Sequence, residues 1–323
     1  MMGNSDKIGT NIKQAKFLLE LNELVGIPTE TVYGLAANAL NEEAVIKIYR
    51  AKDRPSFNPL IIHLPCIAAI ETYAVLDPIS EKLAHAFMPG PLTLLLNKKD
   101  IIPDLVTASS KKVAVRIPQH PLTLKLLHLL NFPLAAPSAN KSGYVSATTA
   151  KHVLDGLGMD IAYVLDGGNC EVGLESTIVE VVDDAVIMHR IGAISAEAIE
   201  LVSQLKVIDP AISEAPVTPG QMKSHYATNV PLYIGNIEAM IQEHQTKNIA
   251  TISFNKSYDG IINGHQYVLS PKGDINEAAQ HLFAVMRLID DFHFDIILTE
   301  RFPNEGLGRA INERLERAQA IHK

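Results

Sequence analysis

An alternation of short apolar runs with helix-like patterns, extending over the first two thirds of the chain, constrains the fold more than any other feature. Runs of this length bounded by turn residues predict strands, and apolar residues recurring every three or four positions predict helices. The predicted strands are Val25–Pro28, Leu60–His63, Leu92–Leu96, Val113–Ile117, Leu134–Ala136, Ala162–Leu165, Thr177–Val182 and Ala185–His189. The predicted helices are Asn11–Leu24, one from the cap Asn41 to before Pro55, Ser80–Phe87, Pro121–Leu130, Thr148–Leu157 and Ser195–Leu205. The pattern predicts an α/β or α+β domain with a large twisted sheet.

The character of the sequence changes after Leu205. Prolines and a glycine punctuate the segment from Asp209 to Asn229, which has no sustained apolar period and is therefore predicted to be an extended linker. Strands are then predicted at Val230–Ile234, Ile249–Phe254 and Ile296–Thr299, with helices at Ile275–Ile289 and Gly308–Ile321. With 323 residues, the chain is long enough for two domains. We predict a larger α/β domain over 8–208, a linker over 209–229 and a small α/β domain over 230–323.

Composition narrows the function classes. The formal net charge of −8 argues against a protein that grips nucleic acid mainly by charge, although a local basic cleft is left open. Only two cysteines occur, Cys66 and Cys170, so a disulfide framework or a thiolate zinc site is not expected. Neither a signal peptide nor a membrane-spanning apolar run is recognisable. We therefore expect a cytoplasmic protein.

Polar residues follow the first buried strand. Thr29 and Thr31 come directly after the predicted strand Val25–Pro28, at the kind of strand end where α/β sheets bind ligands. Their hydroxyls suit a small polar ligand, and the alternative is a capped turn leading into a helix.

A basic pair ends the next predicted helix. Lys52 and Arg54 either complement the helix dipole or clamp a polyphosphate, because Arg offers a planar fork and Lys a compact charge. Asn58 follows them. His63, within the next strand, is either a satisfied core histidine or part of the same site.

Two cations also lie on one predicted strand. Side chains alternate along a strand, so Lys112 and Arg116 share a face. Arg116 interrupts an apolar run, and a charge there needs a partner. A salt bridge to an acidic residue and a carboxylate of a bound ligand are both consistent with this.

Small polar residues follow two further strands. Ser138 and Asn140, with Ser146 beyond them, form either a loop that approaches phosphate or a metal's water shell, or a plain turn. Ser176 precedes a strand, and Arg190 ends the next one. The sequence has no Walker loop, zinc-protease motif or catalytic-triad order. These strand-end groups favour binding and aligning anions over covalent catalysis.

Six ordered strings resemble the YrdC-like family of threonylcarbamoyl-AMP synthases. They are PTETVYGL at Pro28–Leu35, KDRPSFNPLIIH at Lys52–His63, PGPLT at Pro89–Thr93, VAVRIP at Val113–Pro118, APSAN at Ala136–Asn140 and GLESTIV at Gly173–Val179. The strings PGQMKSHYA at Pro219–Ala227 and GLGRAINERL at Gly306–Leu315 resemble the family's longer, two-domain branch. The resemblance implies a mixed parallel and antiparallel sheet around a cleft, followed by a small Rossmann-like domain.

The resemblance also implies a reaction and residue roles. L-Threonine, bicarbonate and ATP would give threonylcarbamoyl-AMP and pyrophosphate, and a tRNA threonylcarbamoyl transferase would use the product to make t6A; a direct contact with tRNA is left open. Magnesium would enter with ATP, held mainly through its phosphates. Positions matching the threonine site are Thr31, His63, Arg116, Ala136 and Ser176. Positions matching the ATP site are Arg54, Asn58, Lys112, Ser138, Ser146, Arg190 and Tyr226. Lys52, Arg54, Ser138 and Asn140 match the family's two catalytic motifs.

Two other functions compete with this expectation. A basic cleft without catalysis would make the chain a double-stranded RNA or tRNA-binding module. The same fold with different chemistry would handle carbamoyl phosphate. For the synthase, we expect Tyr226 in the linker to close over the nucleotide.

Overall fold

The computed structural model describes residues 7–208, 226–259, 261 and 263–319. The chain forms two compact units. The first comprises residues 1–142, 147–171 and 175–222, and the second comprises 143–146, 172–174 and 223–323. Most of the predicted linker lies outside the described residues.

The first unit is built on one mixed sheet. Among the described residues the sheet has eleven strands in the order β1-β8-β2-β3-β7-β4-β6-β5-β9-β10-β11. The strands are β1 (Ile8–Gly9), β2 (Val25–Ile27), β3 (Gly34–Asn38), β4 (Ile61–His63), β5 (Leu92–Asn97), β6 (Lys112–Arg116), β7 (Leu134–Ala135), β8 (Tyr163–Leu165), β9 (Thr177–Val182), β10 (Ala185–Arg190) and β11 (Lys206–Ile208). β4 runs parallel to β6, and β5 parallel to β9, while β3, β7 and β4 are joined by antiparallel pairs. The mixed sheet expected from the family resemblance is therefore confirmed.

Helices pack beside this sheet. They are α1 (Ile12–Glu20), α2 (Glu42–Lys52), α3 (Ile70–Tyr73), α4 (Pro78–Phe87), α5 (Asp104–Thr107), α6 (Pro121–Leu129), α7 (Ala150–Leu157) and α8 (Ala196–Ser203). The Asn41 side chain accepts a hydrogen bond from the Ala44 N–H, which confirms the predicted cap of α2. α2 ends at Lys52 because Asp53 takes the left-handed conformation. This ending places Lys52 at the last residue of α2 and Arg54 at the start of the following loop.

Alternation along the central strands separates two apolar clusters. Ile62, Val113 and Val115 belong to the main core. A small cluster on the other face joins β4, β6, β5 and β9, and its members are Ile61, Ala114, Leu95 and Ile178. Because Lys112, Ala114 and Arg116 alternate with the core residues of β6, the two cations lie on the face of this small cluster. We call it the polar face of the sheet.

The second unit has a parallel sheet. Its strands β12 (Leu232–Ile234), β13 (Ile249–Ser253), β14 (Gly264–Val268) and β15 (Ile296–Thr299) run in the order β12-β15-β13-β14. All three pairs of neighbours are parallel. The helices are α9 (Ile237–Glu243), α10 (Ile275–Asp290) and α11 (Leu307–Gln319). This agrees with the expected small Rossmann-like domain.

Several local expectations were wrong. The turn at Thr29 and Thr31 leads into strand β3, so the alternative of a capped helix there is incorrect. α1 ends at Glu20 rather than Leu24, since Asn22 adopts a positive φ of 59°. Strands β1, β3, β11 and β14 and helices α3, α5 and α9 were not predicted; six of these have only two to five residues.

Cys66 and Cys170 are both free thiols. No helix within the described ranges is long and apolar enough to cross a membrane.

Candidate active site

Arg116 lies at the end of β6 on the polar face and is paired with an acid. It is buried, and its Nη2 donates to Glu30 Oε1 at 2.7 Å, while Glu30 is equally buried at 4% exposure. The Glu30 Oε2 atom accepts from the Gln119 N–H, and Arg116 Nε donates to the Gly90 carbonyl. The salt bridge considered from the sequence is thus present. Arg116 Nη1, by contrast, makes no hydrogen bond to any described residue.

His63 is the register partner of Arg116 across β4 and β6. Burial, reinforced by the nearby Arg116 charge, lowers the pKa of His63 from 6.5 to about 3. The ring is therefore neutral at physiological pH, with one N–H and one lone pair. Its buried Nδ1 has no hydrogen-bond partner among the described residues.

The two threonines after β2 form a local hydrogen-bonded turn. Thr29 Oγ1 donates to the Val32 carbonyl at 2.6 Å and lies 2.8 Å from Thr31 Oγ1. A hydroxyl has one proton, so Thr31 must be the donor in the second bond. Thr31 Oγ1 therefore keeps its lone pairs as an acceptor for a ligand's N–H or O–H.

A second hydroxyl pair lies at the start of β9. Ser176 Oγ accepts from Arg190 Nη2 at 2.9 Å and lies 2.7 Å from Thr93 Oγ1. Only one of the two hydroxyls can donate to the other. The remaining hydroxyl proton has no acceptor among the described residues, and both side chains are fully buried. A ligand that supplies an acceptor would satisfy it.

Arg54 is held by the loop that follows it. Its Nη2 donates to Asn58 Oδ1 at 2.6 Å and to the Pro59 carbonyl at 2.9 Å. Burial lowers the pKa of Arg54 to about 10, and the nearby charge of Arg190 contributes to this shift. Two arginines whose charges repel each other favour an anion beside them.

Lys52 supports the loop after β7. Its Nζ donates to the carbonyl of Ser138 at 2.5 Å and to that of Asn140, and the side chain is only 1% exposed. Lys52 of the basic pair and the Ser–Asn pair identified in the sequence are thus brought together. In this arrangement the lysine shapes the backbone of the loop, and half-buried Ser138 is beside Gly34 of β3.

Lys112 lies four residues before Arg116, on the same face of β6. Its Nζ forms an ion pair with the buried Glu180 of β9. Ala136 is the neighbour of β4 on the other side, where its N–H donates to the Ile61 carbonyl. Lys112 therefore belongs to a strand of the polar face, and Ala136, just after β7, is hydrogen-bonded to another such strand, β4.

Ser146 and Tyr226 belong to the second unit. The Ser146 carbonyl accepts from Arg287 Nε at 3.1 Å. The Tyr226 ring is buried, stacks on Phe283 with centroids 5.3 Å apart and lies under the Arg314 guanidinium. Their assignment to ATP stays a prediction.

Oxygen atoms of the loop after β7 are groups in this site that suit a magnesium ion. No group of three or more His, Cys, Asp or Glu side chains in the described part of the chain is placed to hold a metal. The hydroxyl of Ser138 and the amide oxygen of Asn140 are hard donors of the kind that magnesium accepts.

Two family models match the chain. One, described as "Telomere recombination" and covering the Sua5, YciO and YrdC proteins, matches residues 18–192. The other, described as "Threonylcarbamoyl-AMP synthase, C-terminal domain", matches residues 194–320. The chain belongs to the threonylcarbamoyl-AMP synthase family.

Relatives and solved structures agree over nearly the whole length. The threonylcarbamoyl-AMP synthase of Bacillus subtilis is 40% identical over 97% of this chain and 95% of its own. That of Pyrococcus abyssi is 37% identical over 95% of this chain and 93% of its own. The crystal structure of P. abyssi Sua5 complexed with L-threonine has a TM-score of 0.87 at 35% identity, covering 99% of this chain and 95% of that one.

Three buried side chains around this family's predicted site residues were missed from the sequence: Glu30, Thr93 and Glu180. Each lies inside a string that was otherwise singled out or within a predicted strand. An isolated acid in an apolar run, such as Glu180 in β9, signals a partner cation nearby. The identity of the partner depends on strand order, which the pattern did not give.

Proposed function

We propose that the chain is a threonylcarbamoyl-AMP synthase that uses L-threonine, bicarbonate and ATP. The threonine amine attacks bicarbonate and water leaves, which gives a carbamate. A carbamate oxygen then attacks the α-phosphorus of ATP, and pyrophosphate leaves as the mixed anhydride forms. The N–H groups left available on buried Arg116, together with the unmatched hydroxyl groups of Thr31 and the Thr93–Ser176 pair, carry this proposal.

An amino acid matches these groups. Arg116 Nη1 and the unmatched hydroxyl proton of the Thr93–Ser176 pair are donors suited to a carboxylate. Thr31 Oγ1 is an acceptor suited to an amine or a hydroxyl. The threonine complex of the P. abyssi relative supports L-threonine as the amino acid.

The nucleotide would bind to the neighbouring cationic side chains. Arg54 and Arg190 repel each other electrostatically, and an ATP polyphosphate would relieve that repulsion. Lys112, Asn58 and Ser138 complete the proposed set, to which the family resemblance adds Ser146 and Tyr226. Magnesium, when bound with ATP, would neutralise charge on the departing pyrophosphate.

The side chains promote the reaction by alignment and electrostatics. His63, with a pKa of about 3, is too weak a base to deprotonate the amine. Fixed cations lower the cost of bringing an anionic carbamate to an anionic phosphate. Lys52 contributes by holding the loop that carries Ser138.

The product would pass to a tRNA threonylcarbamoyl transferase in the cytoplasm, for t6A synthesis. The RNA-binding and carbamoyl-phosphate alternatives predict different outcomes in one assay. Pyrophosphate release is measured with threonine, bicarbonate or ATP omitted in turn. The synthase requires all three, and release that persists without threonine would contradict the proposal. Salt-sensitive tRNA binding with no pyrophosphate release would favour the RNA-binding module. Calorimetric titration of threonine with and without ATP would then measure the amino-acid site directly.

A further inference from the structure

Lys112 is the first member of a chain of three side chains on the sheet. Its Nζ contacts Glu180 Oε1, and Glu180 Oε2 lies 2.7 Å from His189 Nε2. The three residues belong to β6, β9 and β10, which with β5 are consecutive in the sheet. Glu180 is buried, with a side chain only 7% exposed.

His189 is a neutral donor in this chain. Burial, together with the nearby Lys112 charge, lowers the pKa of His189 to about 4. At physiological pH its contact with Glu180 is therefore a hydrogen bond from a neutral Nε2–H rather than an ion pair. The imidazole fixes one carboxylate oxygen and leaves the other to Lys112.

Lys112 keeps donors available while it is held. An ammonium group has three N–H donors, and Glu180 is its one hydrogen-bond acceptor among the described residues. The side chain is 36% exposed, so the other N–H groups are accessible to a ligand. A free lysine would lose considerable rotamer entropy on gripping a ligand, and a buried anchor removes much of that loss beforehand.

We propose that Glu180 and His189 are positioning residues that preorganise Lys112 for the polyphosphate of ATP. This inference rests on the proposed function, in which Lys112 binds ATP. It assigns no contact with substrate to Glu180. Because the Glu180 charge also repels a polyphosphate, the opposite effect, a carboxylate that competes with ATP for Lys112, is a clear alternative outcome.

The test compares Glu180→Gln with the wild type in two measurements. The first is the Kd for ATP, by calorimetry without bicarbonate, and the second is the KM of pyrophosphate release for ATP and for threonine. The amide presents an NH₂ group to one of the two donors, Lys112 Nζ or His189 Nε2–H, so one of the hydrogen bonds that join the three side chains is lost. We expect the Kd and KM for ATP to rise about fivefold, as for the loss of a partly exposed charged interaction. The KM for threonine should change less than twofold. An unchanged or lower Kd for ATP would overturn the proposal.

A second pair of variants guards against misfolding. His189→Gln keeps an N–H donor for Glu180 and should stay close to the wild type, whereas His189→Ala should weaken ATP binding. Equal ATP affinity in these two variants would also contradict the proposed role of His189 in positioning Lys112 through Glu180. Glu23→Gln is the matched control, because it removes the same charge from an exposed lysine pair with Lys47 at 2.8 Å. If the wild type released no pyrophosphate, the proposed function would fail, while the ATP titrations would still decide the role of Glu180.

Discussion

Replacing Glu30 by Gln should destabilise the first unit far more than an ordinary surface change. The substitution keeps the shape of the side chain but removes the negative charge that compensates Arg116. Both members of the pair are 4% exposed, so water does not replace the lost carboxylate. The amide must also present its NH₂ to one of the two donors, Arg116 Nη2 or the Gln119 N–H.

The expected cost follows from this geometry. Breaking a buried ion pair by removing one partner costs 3–5 kcal/mol, and the lower end applies because the amide oxygen still accepts one bond. We therefore expect a loss of about 3 kcal/mol. For a unit of this size that corresponds to a fall in Tm of roughly 6–12 °C. Removing both charges, in Glu30→Gln with Arg116→Met, should recover more than half of the loss.

The assay is urea or thermal unfolding followed by far-UV circular dichroism, since the chain has no tryptophan to report by fluorescence. The single and double variants are compared with Arg116→Met alone, which completes a double-mutant cycle. A Glu30→Gln cost below about 1 kcal/mol would show that the buried charge is not compensated mainly by this pair. A double variant whose cost equals the sum of the single costs would refute the reasoning equally.

Three other predictions concern the remaining groups. Lys52→Met removes the donor shared by the Ser138 and Asn140 carbonyls. We expect kcat/KM for ATP to fall roughly 10–100-fold, which corresponds to the loss of a charged hydrogen bond. Steady-state pyrophosphate release measures this value, and an unchanged value would contradict the role of Lys52 in shaping the loop. The pKa of His63 is about 3 in the folded chain and 6.5 ordinarily, so neutral His63 adds stability above pH 6.5 that declines as the pH falls toward 3. Between these pH values the unfolding free energy should therefore depend less on pH in His63→Gln than in the wild type. Equal pH dependence in the two proteins, measured by urea unfolding, would contradict this prediction. Tyr226→Ala removes a buried ring stacked on Phe283, so it should lower the unfolding free energy of the second unit by about 3–5 kcal/mol. An alanine variant as stable as the wild type in the same unfolding assay would refute this packing argument. Tyr226→Phe keeps the ring and is therefore the cleaner test of the proposed ATP contact.

The parts of the fold that the sequence predicted are those with a strong local period. Strands such as Thr177–Val182 and Ile296–Thr299 were bounded correctly because apolar runs end abruptly at turn residues. β3 was missed because its sequence, Gly-Leu-Ala-Ala-Asn, has little β-branched character. It is a strand because β2 and β7 pair with it on both sides, which is tertiary information.

The candidate site was predicted as a set of residues but not as a network. Strand alternation correctly placed Lys112 and Arg116 on one face, and strings flanking the turns identified the loop residues. The partners of those cations come from distant segments: Glu30 is 86 positions from Arg116, and Glu180 is 68 positions from Lys112. Pairing across such distances depends on strand order, and no local pattern carries it. The assignment of each residue to threonine or ATP stays a prediction.

The sequence posed the salt bridge and the bound carboxylate as alternatives for Arg116, and the geometry shows why they are compatible. A guanidinium has five N–H donors on a planar fork, so an acid can hold one edge while another edge stays available. Glu30 uses Nη2, and Nη1 remains. An isolated arginine would be too costly to bury, and one with every donor satisfied would be inert toward a ligand. A buried cation that binds a substrate therefore needs a partner that holds only some of its donors. Lys112, at the other end of β6, is 36% exposed and is paired in a similarly partial way with the buried Glu180.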